Sequence, residues 1–307
     1  MSQLPVSRSL LLTGVADVWS TLREGARRGG ERSGLALMIV SAAAFALMAA
    51  FAKKLLPDTP TQAVVLSRGV MMSAVFVTMA RWQGVPVLGT RPGMLLLRGL
   101  LGYGALSCYF YSVQHLPLGD AVLLQYCHPI FVTMMAPRVL GERTGRRDIW
   151  LILLALAGVA LIVRPAGEVR PEAVVGVTGS ILSGLAYIAV RRLSKTEHPA
   201  TILVWFPLAT IPLSLVAVVA AGPKSIPRNG LEVAGHLLVT VTALVGQVTL
   251  TFGLSRAGAA RATAVTLAGP VFGMLFGVLF FGTMPAIASL IGMAVVLASL
   301  GALGWRK

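Results

Sequence analysis

The sequence predicts an all-α integral membrane protein in which ten transmembrane helices form two inverted five-helix repeats. Three observations support this fold class: a strongly apolar composition, long apolar runs that recur along the chain, and a pattern shared by the two halves. Of the 307 residues, 56% are hydrophobic and 12% are charged, and the mean hydropathy is +0.82. Soluble globular domains carry roughly 25% charged residues, so the composition indicates a membrane protein.

Apolar runs long enough to cross a bilayer recur throughout the sequence. A hydrocarbon core about 30 Å thick requires about 20 helical residues. The predicted spans cover residues 34–52, 62–80, 93–114, 120–137, 149–163, 173–190, 200–221, 233–254, 262–282 and 284–305. The fifth span is the shortest, and the flanking Arg147 and Arg164 can extend their side chains to the two interfaces.

Basic residues predict the orientation of these spans. The formal net charge is +15, but the lysines and arginines flank the spans instead of forming one cluster, so they do not indicate nucleic-acid binding. They are concentrated in the amino-terminal segment and in alternate connections. The positive-inside rule therefore predicts that both termini lie in the cytoplasm, with residues 1–32 as a cytoplasmic tail.

A sequence pattern recurs in the two halves of the chain. Residues 119–142 read GDAVLLQYCHPIFVTMMAPRVLGE, and residues 260–283 read ARATAVTLAGPVFGMLFGVLFFGT. Placing Pro129 on Pro270 also aligns the alanine near the start and the glycine near the end of each segment, without a gap. The chain therefore contains a duplicated unit.

The duplicated unit has an odd number of spans, which fixes its orientation. Upstream of the shared segments, AAFAKKL (49–55) corresponds to YIAVRRL (187–193), each a span that ends in a basic pair. We predict repeats over residues 33–165 and 166–307. Because five is odd, the second repeat enters the membrane from the opposite side, and a pseudo-two-fold axis lies in the membrane plane. Such an arrangement is typical of secondary transporters.

These features resemble the EamA family of the drug/metabolite transporter superfamily. The resemblance rests on the repeated Ala, Pro and Gly pattern, on Arg68 in LSRGV and on ten spans, and it covers about residues 33–305. In that family a glutamate follows the fourth span, here Glu142, whereas the second copy has Thr283. The resemblance implies a transporter of the bacterial inner membrane, without a cofactor, that exports or takes up small metabolites, often amino acids or related amphiphilic compounds, and we predict export.

Polar side chains inside the spans are the candidate substrate ligands, because polar groups in lipid-spanning helices face a bundle interior or a cavity. Helical spacing places several of them on common stripes, and tyrosine hydroxyls and an indole nitrogen suit the orientation of a partly apolar ligand. The predicted substrate-binding residues are Arg68, Tyr103, Tyr111, Gln125, His128, Tyr187, Trp205 and Gln247.

Two interpretations of the stretch around His128 remain open. In the first, Gln125 and His128 line a cavity between the halves, and Pro129 distorts the helix and frees the carbonyl near Gln125. The aligned Thr266 and Pro270 would mirror them. In the second, the polar groups only hydrogen-bond between helices and the two prolines only kink their helices for packing.

Arg68 is predicted to be the only cationic side chain well inside a span. Its insertion costs at least about 2.5 kcal/mol, so it requires a partner or a water-filled environment. It could bind a substrate carboxylate bidentately. Alternatively, it could pair with Glu142 or Asp120 and anchor the fold.

All 11 acidic residues fall outside the apolar cores of the spans. No membrane-embedded carboxylate is therefore predicted as a proton carrier. His128 is the candidate titrating group, because the unperturbed imidazole titrates near physiological pH. Otherwise the protein would be a facilitator or exchanger driven by the substrate gradient.

Other function classes have less support. The four histidines show no metal-ligand spacing, and neither a Ser-His-Asp set nor a phosphate-binding glycine loop is present, so an enzyme and a metal site are not predicted. A multidrug, organic-cation or nucleoside permease, and a passive channel or scramblase, remain alternatives. The expected partners are a small-molecule substrate and the lipid bilayer, and monomer and dimer both stay open.

Overall fold

The computed structural model describes residues 30–116, 118–163, 171–221, 227, 229–282 and 284–304. Within these residues the chain is helical and contains no strand, as the sequence predicts. Six helical segments are long and apolar enough to cross a membrane, and one of them, Ala259–Phe281, contains a 3-10 turn. The predicted tail lies outside the described residues except for residues 30–32.

Each predicted apolar run coincides with one helix or with two consecutive helices. The α-helices are α1 (Gly30–Leu55), α2 (Thr61–Trp82), α3 (Pro92–His115), α4 (Leu118–Gln125), α5 (His128–Leu140), α6 (Arg146–Val163), α7 (Ala173–Leu193), α8 (Pro199–Ala221), α9 (Gly230–Arg256), α10 (Ala259–Val265), α11 (Gly269–Phe281) and α12 (Ile287–Gly304). Only the last helix begins clearly later than its predicted span, because Met284 to Ala286 are not helical.

The fourth and ninth predicted spans are each interrupted near the middle. A turn at Tyr126 and Cys127 separates α4 from α5, and a 3-10 turn at Thr266–Ala268 separates α10 from α11. In both cases the second helix has proline among its first residues, where the missing N–H of proline removes no internal helical bond.

Both interrupted spans also end in the same way. Gly141 follows α5 with φ +71°, and Gly282 follows α11 with φ +63°. A residue with a side chain is strained in this left-handed conformation, whereas glycine adopts it readily and closes a helix. The two segments aligned in the sequence thus share a break, a proline and a glycine cap.

The principal packing pairs join helices from different halves of the chain. Helix α1 packs along α9, α3 along α7, α2 along α8, and α6 along α12. Exchanging each helix for its counterpart in the other repeat converts the α1 and α9 pair into the α7 and α3 pair. The same exchange leaves the pair of α2 with α8 and the pair of α6 with α12 unchanged.

Helices α6 and α12 approach each other through reciprocal glycines. A Cβ at Gly292 would lie 2.5 Å from the carbonyl oxygen of Gly158, and a Cβ at Gly158 would lie 2.8 Å from the carbonyl oxygen of Gly292. Small residues at such crossings let two backbones come into contact, which is how helices associate where no hydrophobic force acts between them. The contact therefore requires glycine at both positions.

We expect Gly292→Ala to destabilise the α6 and α12 pair by about 1–3 kcal/mol, because the added methyl group has no space against the Gly158 carbonyl. The measurement is the thermal unfolding midpoint in detergent. Gly301→Ala in the same helix is the matched control, since a Cβ there meets nothing within 4 Å. Equal midpoints for the two variants would contradict the contact.

Candidate functional site between the two helix breaks

The two helix breaks are joined through a buried histidine. His128 is 2% exposed. Its Nδ1 lies 2.9 Å from the carbonyl oxygen of Gln125, and its Nε2 lies 3.0 Å from Oγ1 of Thr266. Residue 129 would donate its N–H to Gln125 in a continuous helix, but it is proline. The imidazole thus supplies the donor that Pro129 lacks and reaches the break in the other half.

The hydrogen bonds around His128 restrict where its protons lie. A carbonyl oxygen only accepts, so Nδ1 carries a proton and donates it to Gln125. In a neutral ring Nε2 then accepts, and the Thr266 hydroxyl has to donate to it. That hydroxyl also lies 2.6 Å from the carbonyl oxygen of Thr263. In an imidazolium, Nε2 donates to Thr266, and the hydroxyl is free to donate to Thr263.

Helix α7 covers the first break with a stripe of polar side chains. Nε2 of Gln125 donates to Oγ of Ser183 at 3.0 Å, and the Ser180 hydroxyl donates to the Leu124 carbonyl. The ring of Tyr187 meets the ring of His128 edge-on, with 5.0 Å between their centroids. The polar side chains of Gln125 and His128, on either side of the break between α4 and α5, therefore contact one face of α7.

Two arginines contact one aromatic ring beside this group. The guanidinium carbon of Arg98 lies 4.6 Å from the ring centroid of Phe206, and that of Arg68 lies 5.9 Å from it. Arg98 is 3% exposed and Arg68 is 9% exposed. Helix α3, which carries Arg98, packs along α7, which carries Tyr187.

The prediction that Arg68 is the only cation well inside a span is wrong, because Arg98 is buried within α3. The sequence places Arg98 near the beginning of the third predicted span, where a basic side chain ordinarily reaches the interface. The structure instead starts α3 at Pro92 and covers Arg98 with α8. The nearby glycines Gly99 and Gly102 were the available signal, since small residues mark a face that packs closely.

Neither arginine is paired with a carboxylate in the part of the chain that the structure describes. Nη1 of Arg68 contacts the sulfur of Met48 at 3.4 Å. Glu142 does not serve as its partner, because this carboxylate is bonded elsewhere. The side chain of Asp120, the other partner considered, lies outside the described residues. Within them, Nε and Nη1 of Arg98 have no hydrogen-bond acceptor.

The other predicted site residues lie in different surroundings. The indole N–H of Trp205 donates to the carbonyl of Val87 at 3.0 Å, so it fixes α8 to the segment before α3. Tyr111 is 39% exposed, and its ring stacks on His115. Tyr103 is half-buried in α3, and Gln247 is buried in α9. The structure thus brings together Gln125, His128 and Tyr187, and it places Arg68 with Arg98 at the ring of Phe206.

A second polar junction closes the bundle at one end. One oxygen of Glu142 accepts from Nε of Arg191 at 2.7 Å, and the other accepts from the backbone N–H of Ala259 at 2.8 Å. Arg191 also donates to the carbonyls of Leu254 and Ser255. Carboxylates stabilise helix amino termini and cations stabilise helix carboxyl termini, so the pair fastens α10 and α9 to the ends of α5 and α7.

The corresponding positions at the opposite end lack an ion pair within the described residues. Lys53 and Lys54 align with Arg191 and its neighbour, and their amino groups lie over the rings of Phe281 and Phe280 at 5.0 and 5.3 Å. Thr283, which aligns with Glu142, lies outside the described residues. Charge-assisted hydrogen bonds are stronger than exposed cation–π contacts, so the Glu142 end is held more firmly.

Comparisons with known proteins assign the chain to a family. The model of the EamA-like transporter family matches residues 32–164 and again residues 170–304. The pseudopaline exporter CntI of Pseudomonas aeruginosa strain UCBPP-PA14 is 30% identical over 282 residues, which cover 90% of this chain and 97% of the relative.

More distant relatives extend over most of the chain as well. A transporter of Helicobacter pylori strain 26695 is 24% identical, over 87% of this chain and 92% of its own length. Mouse solute carrier family 35 member G1 is 25% identical, over 88% of this chain and 77% of its own length. A solved crystal structure shares the fold with a TM-score of 0.76 at 22% identity, covering 88% of this chain and 95% of that one.

The family model matches both halves, and the resemblance inferred from the repeated Ala, Pro and Gly pattern is confirmed. The chain therefore belongs to the EamA-like transporter family of the drug/metabolite transporter superfamily, and it is a multi-pass membrane transporter of small molecules and not an enzyme.

Proposed function

We propose that the protein exports a small metabolite across the bacterial inner membrane by alternating access between two inverted repeats. The observation that carries the proposal is the contact of the two helix breaks through His128 and Thr266. Broken helices in the middle of a membrane are tolerated where they line a binding site or cavity, and transporters place such sites at the repeat interface.

The packing of the helices supports inversion of the repeats. The pairs α1 with α9 and α3 with α7 are related by exchange of the halves, as a two-fold axis requires. Five crossings per repeat then orient the two copies oppositely. The concentration of basic residues places the Glu142 junction, together with both termini, on the cytoplasmic side.

The two ends of the bundle act as alternate barriers in this proposal. The Glu142 and Arg191 junction forms the cytoplasmic barrier, and the Lys53, Lys54 and phenylalanine contacts form the weaker external one. Export would begin when the cytoplasmic junction separates and exposes the polar group around His128 to the metabolite. Equivalent packings of the repeats provide the opposite state.

Amino acids or related amphiphilic metabolites are the proposed substrate class. The relative from Pseudomonas aeruginosa is named as an exporter of pseudopaline, which supports the outward direction. Two buried arginines beside the site disfavour organic cations, because like charges repel strongly where water is excluded.

Counterflow in proteoliposomes tests the function. Vesicles with the purified protein are loaded with unlabelled solute, and uptake of labelled amino acids, nucleosides and organic cations is followed. The proposal expects saturable uptake that internal solute stimulates. Uptake that neither saturates nor responds to internal solute would indicate a channel or scramblase instead.

We propose further that His128 carries the coupling proton. We expect His128→Gln to abolish the pH dependence of transport, because the glutamine side chain remains polar but does not titrate. Transport rates are measured as a function of pH in proteoliposomes. An unchanged pH dependence in His128→Gln would eliminate this role.

The partner of His128 provides a directional test. Thr266→Val removes the acceptor for Nε2–H of the imidazolium while the neutral ring loses less, so we expect the midpoint of the pH profile to move to lower pH. Thr266→Ser keeps the hydroxyl and serves as the control. A midpoint that moves equally in both variants would contradict the hydrogen-bond scheme.

Weakening the cytoplasmic junction should expose the site. Loss of a charge-assisted hydrogen bond costs about 1.5–3 kcal/mol, which is about tenfold or more in an equilibrium. In a Cys108→Ser background, we therefore expect Glu142→Gln to accelerate labelling of Cys127, beside the break, by a hydrophilic thiol reagent added from the cytoplasmic side. Arg138→Gln, which changes an exposed arginine near the end of α5, four residues before Glu142, is the control, and equal rates would refute the barrier.

A further inference from the structure

We infer that Arg68, Arg98 and Phe206 form the part of the substrate site that binds carboxylate groups, and that the transported metabolite carries at least two of them. This inference rests on the proposed export function and specifies its substrate. It applies to the site between α2, α3 and α8, where the two guanidinium groups contact one ring.

The charges of the two arginines are not compensated within the described part of the chain. Both side chains are nine-tenths or more buried, and no described carboxylate lies within ion-pair distance of either. Nε and Nη1 of Arg98 lack an acceptor among these residues, and Nη1 of Arg68 contacts only a thioether, which accepts weakly. Buried donors without acceptors are costly, so these groups suit an anion that is bound only part of the time.

Two other arginines, Arg261 and Arg191, form ion pairs and show how this chain stabilises cations that connect helices. Arg261 donates to both oxygens of Asp148 at 2.7 and 3.1 Å and lies 3.4 Å from Glu31. Arg191 is paired with Glu142 at 2.7 Å. In these two cases an acidic residue accompanies an arginine that joins helices. Arg68 and Arg98 are buried as well, yet no described carboxylate accompanies them.

The packing around Gly102 holds the Arg98 guanidinium against Phe206, in an arrangement that suits a planar ligand. A Cβ at Gly102 would lie 2.7 Å from Nη1 of Arg98 and 2.7 Å from Cε2 of Phe206, so the glycine provides the space that both occupy. Contact with an aromatic ring restrains a guanidinium while its N–H groups remain directed outward. Arginine N–H groups match the two oxygens of a carboxylate bidentately.

The two positive charges of Arg68 and Arg98 determine which charged groups the ligand should carry. A zwitterionic amino acid brings one carboxylate and one ammonium, and the ammonium would face the repulsion of two guanidinium groups. A ligand with two or more carboxylates provides one for each arginine, and its net negative charge outweighs the repulsion of an ammonium that it also carries. The predicted ligands are therefore small dicarboxylates and tricarboxylates, including acidic amino-acid derivatives, in preference to neutral amino acids, nucleosides or organic cations.

Binding and transport are measured separately on the full chain. Succinate, glutamate and citrate are compared with leucine and choline, first as ligands that raise the unfolding temperature of the purified protein and then as counterflow substrates. We expect the three acids to stabilise the protein and to be transported, because a ligand that binds only the folded state raises its stability. Leucine and choline should do neither or be at least tenfold weaker.

Variants of the arginine site identify the residues responsible. We expect Arg98→Gln to raise KM for the acids at least tenfold, Arg98→Lys to raise it less, and Gly102→Ala to raise it without removing a charge. Arg138→Gln, which alters an exposed arginine, should leave KM unchanged. Each variant is first checked for an unfolding transition, and Arg98→Lys and Gly102→Ala keep the test decisive if Arg98→Gln does not fold.

The outcomes separate this inference from the export function. Transport of leucine or choline in preference to the acids, or an unchanged KM in the Arg98 and Gly102 variants, would overturn the carboxylate site while export remained valid. Stabilisation by the acids without any counterflow would support the site and contradict export. Neither stabilisation nor transport by any acid would overturn the inference.

Discussion

The structure depends on the requirement that every backbone polar group in a membrane has a partner inside the protein. Pro129 cannot donate to the Gln125 carbonyl, and His128 donates to it instead. The other nitrogen of the same ring reaches Thr266 at the second break. One side chain therefore serves both interruptions, which explains why His128 and Pro129 occur together in an otherwise apolar run, whereas the side chain of Gln125 is accounted for by its hydrogen bond to Ser183.

A connection of this kind couples local chemistry to the arrangement of the halves. Thr266 can donate to His128 or to Thr263, depending on the proton content of the imidazole. The ion pair of Glu142 and Arg191 fixes the ends of four helices at one side, whereas the other side relies on lysines over phenylalanine rings. In the proposed mechanism, a proton or a carboxylate bound near the helix breaks acts on a bundle whose two ends differ in strength.

The sequence predicts the helical segments well because the bilayer sets their length, and it predicts distortion at Pro129 and Pro270, whereas the structure shows that both spans are fully interrupted there. Side-chain surroundings are harder to predict, since helical spacing shows which residues share a face but not which helix that face meets. Its sequence position predicts that Arg98 flanks the span, but α8 covers this side chain in the structure. Tyr111 shares a helical stripe with Tyr103, yet its side chain is exposed. Trp205 was unpredictable because its acceptor, Val87, belongs to a loop.

The most direct test of the account is a double-mutant cycle between His128→Ala and Thr266→Val, measured as the free energy of unfolding in mixed micelles. Because the two side chains share one hydrogen bond between the breaks, we expect a coupling energy of about 0.5–2 kcal/mol. A cycle between Thr266→Val and Ser214→Ala, in α8, provides the additive reference. Strict additivity for His128 and Thr266 would contradict the claim that one imidazole joins the two halves.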